Sequence, residues 1–159
     1  MSGQLIVGIS DMKLSKAPGT IITYALGSCI GVSFYDPVAK VGALLHIMLP
    51  DSAGKTDNPF KYADTGIVAT LKKMEAMGAS KARLVVKIAG GAQMFKTPDE
   101  GGAGNIGKKN NDKVRMVLMQ QRIPIKGADT GGNVARTVEL DVTTGITKMR
   151  AYGQPDRNL

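Results

Sequence analysis

Tryptophan is absent from this sequence, phenylalanine occurs three times and tyrosine four, and there is a single cysteine and a single histidine. So few aromatics exclude a broad stacking surface for single-stranded nucleic acid, which needs ring after ring along a groove. One cysteine excludes an internal disulfide, and one cysteine with one histidine does not complete a tetrahedral zinc site without help from carboxylates. No metal and no cofactor is therefore expected. No apolar run approaches the roughly 18 residues of a membrane span, and no N-terminal segment joins a basic flank to an apolar export core. The start Met1-Ser-Gly-Gln4 reads as a mature cytosolic terminus, so a soluble, cytoplasmic protein without direct membrane insertion is expected.

What is present suits one globular domain: 159 residues, 43% of them hydrophobic, with nine methionines joining Val, Ile, Leu and Ala in the core. The domain is expected to span 1–159, with about 153–159 as a frayed tail. The formal net charge is +8, but the basic residues are scattered, and the densest group is Lys108, Lys109, Lys113 and Arg115. This reads as a mildly basic, solvated surface that favours an acidic partner, not as a nucleic-acid interface.

Along the chain, Leu5 to Ile9 and Gly19 to Leu26 read as strands separated by a Pro-Gly turn signal. Cys29 to Tyr35 alternates a bulky face (Ile30, Val32, Phe34) with a small one (Cys29, Gly31, Ser33), the period of a strand. After the Asp36-Pro37 turn, Val41 to Leu49 returns as its hairpin partner, with Leu44, His46 and Met48 on one face. Pro50 to Lys61 is a polar loop. Tyr62 to Met77 carries Ile67, Leu71 and Met74 at helical spacing and stops at Gly78. Ala82 to Ala89 reads as a strand leading into Gly90-Gly91, and 96–105 as a loop. About Gly107 to Gln121 forms a second helix striped by Val114, Val117 and Leu118. Ile123 to Ala128 is a strand, Asp129 to Asn133 a tight turn, and Val134 to Val142 with Ile146 to Tyr152 a hairpin.

The chemistry centres on Cys29 and His46, because a thiol and an imidazole are the side chains most readily brought to work near neutral pH. Consecutive strands tend to lie side by side, so three adjacent strands are expected to present Thr23, Cys29 and His46 to one spot, with Thr23 orienting the histidine. A base held by a third group is the general form of a nucleophilic triad. Backbone N–H groups near Gly27 and Ser28 would line an oxyanion site, and the Gly90-Gly91 pair would serve either as a turn or as a close approach to substrate. The bland alternative is an inert core cysteine beside a core histidine satisfied by backbone. Gly54-Lys55-Thr56 lacks the first glycine of a phosphate loop and reads as a flexible turn. The histidine follows the cysteine by only 17 residues, unlike the papain arrangement.

Taken together, Leu26-Gly-Ser-Cys29, His46-Ile-Met-Leu-Pro50, Lys61-Tyr-Ala-Asp64, Lys87-Ile-Ala-Gly-Gly-Ala-Gln-Met-Phe95, Asn105-Ile-Gly107 and Asp129-Thr-Gly-Gly-Asn133 with Arg136 resemble the CheD family of chemoreceptor glutamine deamidases. The resemblance implies an α+β layered sandwich of stacked mixed β-sheets with two main helices on the outside. It implies Cys29 as nucleophile, His46 as base and Thr23 as the third member, acting on receptor glutamines through a cysteinyl thioester, with receptor methyl esters as a related substrate. It further implies methyl-accepting chemoreceptors and a CheC-type phosphatase as partners; a binding module that regulates such a phosphatase is the alternative. The family's Asn-Ile-Gly-x-Arg-Asn pattern is changed here, where Lys109 replaces the arginine and its planar fork.

Overall fold

The computed structural model describes residues 3–94 and 105–159; the loop expected over 96–105 lies outside them except for Asn105. The chain forms one α+β domain in three layers, a sheet, a second sheet, and two helices packed on the second sheet.

The central pair is β4 (Ile30–Asp36) and β5 (Val41–Ile47), whose residues are buried on both faces. They pair antiparallel with Gly31 opposite His46 and Phe34 opposite Ala43, as the alternating pattern predicts. β2 (Asp11–Lys16) borders β5, and β6 (Val85–Gly90) and then β7 (Ile125–Thr130) continue the sheet beyond β4, in the order β2-β5-β4-β6-β7. The other sheet is β1 (Gln4–Val7), β3 (Thr20–Leu26), β8 (Arg136–Asp141), β9 (Thr147–Ala151) and β10 (Arg157–Asn158), in the order β1-β3-β8-β9-β10. Each sheet contains one parallel pair, β6 with β7 and β1 with β3, and is therefore mixed.

The bulky face of β4 packs with Val41, Ala43, Leu45 and Ile47 against the helices. α1 (Ala63–Ala76) contributes Ala63, Ile67, Leu71 and Met74, and α2 (Ile106–Gln120) contributes Val114, Val117 and Leu118. Both stripes recur every three or four residues, as one face of a helix must. α1 ends where expected, with Gly78 at φ +95° and Ala79 N–H bonded to Met74 O at 3.1 Å. The small face of β4 looks toward the other sheet, where Ile21, Leu26, Val138, Leu140 and Met149 meet Tyr35 and Leu44.

Three expectations are corrected. β2 was not anticipated, because Asp11, Lys13, Ser15 and Lys16 make it polar; it exists because its backbone completes the exposed edge of β5, with Met12 facing the core. Asp129 and Thr130 belong to β7, and the turn begins at Gly131. The tail expected to fray carries β10, which pairs with Lys148 and Met149 of β9. Pro50 to Lys61 is irregular apart from a single 3-10 turn at Pro59–Lys61, and Gly54-Lys55-Thr56 lies in an exposed bend with no helix at its end.

Asp36 ties the β4–β5 hairpin to the far side of the sheet. Its fully buried carboxylate accepts from Val38 and Ala39 N–H in its own turn, from Ser80 N–H, and from Arg83 at 2.8 Å. Burial alone would disfavour the charge, but the Arg83 guanidinium and these N–H groups outweigh it and hold the carboxyl well below the usual carboxylate range. A depressed folded-state pKa contributes stability that is complete above about pH 4 and is lost as pH falls below it. Asp36→Asn is expected to lower unfolding stability by roughly 1–3 kcal/mol at pH 7 in urea titrations. The gap between variant and wild type should narrow below about pH 4.

Candidate functional site

Cys29 lies at the crossover between the sheets. β3 ends at Leu26 in one sheet and β4 begins at Ile30 in the other, so Gly27-Ser28-Cys29 is the link that carries the chain across. Each carbonyl of this link is captured: Gly27 O by Ala92 N–H at 2.8 Å, Ser28 O by Asn110 Nδ2 at 2.9 Å, and Cys29 O by Gly91 N–H at 2.8 Å. Gly90 and Gly91 are required here. A Cβ on Gly90 would stand 2.2 Å from Cys29 O, and one on Gly91 would meet Gly107 O at 2.9 Å. Both have positive φ, at 116° and 68°. Gly90 ends β6, and Gly91 spends its N–H on the crossover. Gly90 is held from behind by Arg136, whose Nη1 reaches its carbonyl at 3.3 Å while Nη2 bonds Gly131 O and Asp129 Oδ1.

Thr23 and His46 meet, but not on adjacent strands. The expectation of three neighbouring strands fails because β3 belongs to the opposite sheet. Thr23 instead reaches His46 across the inter-sheet layer, its Oγ1 2.7 Å from His46 Nδ1. The register shift between Thr23 and Leu26, where Ala25 has φ 56°, ends the regular ladder just after Thr23.

This contact decides the imidazole tautomer. Thr23 Oγ1 donates to Val7 O at 2.8 Å. A hydroxyl carries one proton, so toward His46 it accepts, and Nδ1 is the protonated ring nitrogen. Nε2 then carries a lone pair, and it is buried with no hydrogen-bond partner among the described residues. His46 is 1% exposed, and burial lowers its pKa to about 4, so at neutral pH it is an uncharged base. Val7 O, the anchor of this chain of hydrogen bonds, was not visible in the sequence, since any residue supplies a carbonyl.

Cys29 is half-buried and packs against the inter-sheet cluster. Cys29 precedes the first paired residue of β4, and the inter-sheet cluster it packs against includes Leu44, two residues before His46 on β5. No hydrogen bond joins its sulfur to His46 or Thr23 among the described residues. Burial pushes the thiol pKa up, and its own backbone N–H partly offsets this. The resting pair is thus a neutral thiol and a neutral imidazole.

The segment after His46 is also fixed. Met48 and Leu49 N–H both donate to Lys61 O, Ala63 N–H donates to Leu49 O, and Asp64 accepts from Ser52 N–H and Oγ. Asn110, which sequence reasoning did not single out, joins this segment to the crossover through a second bond to Met48 O at 3.0 Å. Its signal was a polar residue within the stripe of Gly107, Val114, Val117 and Leu118. Among the described residues no cluster of His, Cys, Asp and Glu could hold a metal ion, and no helix is long and apolar enough to cross a membrane.

Because His46 titrates near 6.5 when unfolded and near 4 when folded, the unfolded chain binds the extra proton between these values. Stability therefore falls as pH drops through that window. Melting temperatures should decline from pH 7 to pH 4.5, equivalent to roughly 1–3 kcal/mol. His46→Gln should flatten that decline.

The CheD chemotactic sensory transduction profile matches residues 48–151. The chain is 47% identical over 148 residues to the chemoreceptor glutamine deamidase CheD of Thermotoga maritima, covering 93% of this chain and 92% of that one. It is 45% identical over 159 residues to the probable chemoreceptor glutamine deamidase CheD of Syntrophomonas wolfei, covering 99% of each. In fold it is similar to the Bacillus licheniformis hypothetical protein YfiH, with TM-score 0.50 and 18% identity, over 77% of this chain and 51% of that one. On the family profile and on near full-length identity to these relatives, the chain belongs to the CheD family of chemotactic sensory transduction proteins.

Proposed function

We propose that the protein is a chemoreceptor glutamine deamidase in which Cys29, His46 and Thr23 act as nucleophile, base and orienting group. The observation that carries this reading is the buried relay from Val7 O through Thr23 to His46 Nδ1, which leaves Nε2 without a partner among the described residues while Cys29 packs against the inter-sheet cluster. Family membership supplies the substrate class, since the relatives bear the name of chemoreceptor glutamine deamidase.

His46 Nε2 takes the thiol proton as the Cys29 sulfur attacks the carboxamide carbon of a receptor glutamine, forming the S–C bond. The N–H groups of Ser28 and Cys29 donate to the carbonyl oxygen as it becomes an oxyanion. The C–N bond breaks, His46 returns the proton to the departing nitrogen, and ammonia leaves a glutamyl thioester. Water, deprotonated by the same Nε2, then releases glutamate and restores the thiol. A methyl ester would follow the same route with methanol as leaving group. The relay's task is to hold the tautomer: the imidazolium formed in each half-reaction keeps its Nδ1–H on Thr23. A net charge of +8 suits acidic receptor helices and an acidic partner of the CheC-type phosphatase kind in the cytoplasm.

Incubation with a receptor cytoplasmic fragment should convert specific glutamines to glutamates, read as mass gains of about 1 Da per site. Cys29→Ala should abolish conversion, and Thr23→Val, which removes the acceptor for Nδ1–H, should lower kcat by about 10²-fold. Equal conversion by Cys29→Ala would remove the enzyme reading. An inactive wild type that still binds a CheC-type phosphatase would favour a regulatory binding module.

A further inference from the structure

Among the described residues two buried side-chain polar atoms lack a hydrogen-bond partner, His46 Nε2 and Asn110 Oδ1. The first is the base of the proposed reaction. The second belongs to a fully buried residue that no step above uses. A buried acceptor left unpaired is destabilising, so Asn110 is a costly occupant of an apolar helix stripe. What it provides is two donors from one nitrogen, to Ser28 O at 2.9 Å and to Met48 O at 3.0 Å. It thereby couples the crossover that carries Cys29 to the end of the strand that carries His46.

The peptide group converts this grip into an orientation. In a planar trans peptide the C=O and the following N–H point in opposite directions. Fixing Ser28 O therefore fixes the Cys29 N–H on the other side, where it donates to no backbone carbonyl among the described residues and favours the thiolate form of its own side chain. The next peptide is fixed independently by Gly91 N–H on Cys29 O. Gly107, one turn before Asn110, has no room for a Cβ, which would fall 2.4 Å from Ala92 O, so the first turn of α2 lies directly on the segment after β6 that holds the crossover.

We propose that Asn110 is a positioning residue for the nucleophile, which by holding the Ser28 carbonyl to the end of β5 aims the Cys29 N–H at the sulfur and at the developing oxyanion. The oxyanion half rests on the deamidase reading; the sulfur half does not. His46 on β5 and Arg136 on β8 are ionisable groups near this loop, and both stay in place in the test.

Asn110→Ala is compared with wild type and with Thr70→Val, which loses a buried hydrogen bond to Gly66 O in α1. Cys29 alkylation by iodoacetamide is followed against pH, and deamidation of a receptor fragment is resolved into kcat and KM. The Asn110→Ala alkylation profile should move to higher pH, with a rate about three-fold lower at pH 8. Its kcat should fall by about 10²-fold while KM stays within about three-fold. Thr70→Val should match wild type in both. A folded Asn110→Ala with the wild-type profile and kcat, or equal changes in Thr70→Val, overturns the proposal. If Asn110→Ala does not fold, Asn110→Ser is measured under the same readouts. Alkylation needs no substrate, so a wild type that deamidates nothing defeats the deamidase reading while the profile still decides whether Asn110 holds the sulfur's N–H.

Discussion

The capture of three successive carbonyls, Gly27, Ser28 and Cys29, by Ala92, Asn110 and Gly91 is the constraint around which the fold is arranged. A chain that crosses from one sheet to another leaves the ladder of both, and its peptide groups must find partners elsewhere or carry the cost of burial unpaired. Here the partners come from the end of β6 and from α2, which fixes where those elements sit. The glycines at 90, 91 and 107 follow from that, because backbone meets backbone with no space for side chains.

The same crossover explains why the histidine relay spans the sandwich. With Thr23 on the last regular turn of pairing before the link and His46 on the central strand beyond it, the inter-sheet layer is the one place where both can be dry. Dryness keeps the imidazole neutral, and the single hydroxyl proton spent on Val7 O determines which ring nitrogen is basic. Electrostatics and tautomer are thus set by one packing decision.

Stability and site are carried by different polar nodes. Asp36 with Arg83 closes the hairpin at the end of β4 away from Cys29 and is fully satisfied. Both unsatisfied buried atoms among the described residues lie on His46 and Asn110, beside the crossover. The fold thus pairs its buried structural charge and leaves both of these unpaired atoms in one place, beside the crossover that carries Cys29.

Local pattern determined much of this protein. The period-two faces of β4 and β5, their hairpin pairing, both helices and the glycine stop of α1 could be read because each is dictated within a few residues by alternation, stripe or turn chemistry. The chain's one thiol and one imidazole were equally plain. The tertiary structure decided the rest. β2 exists only as an edge completed by β5, and β10 only because β9 offers it a ladder. Thr23 reaches His46 from the other sheet because a three-residue link changes layers, which no periodicity records. Val7 and Asn110 act through a carbonyl and an amide whose partners lie 16 and 82 positions away in the chain, and such pairings are set by packing.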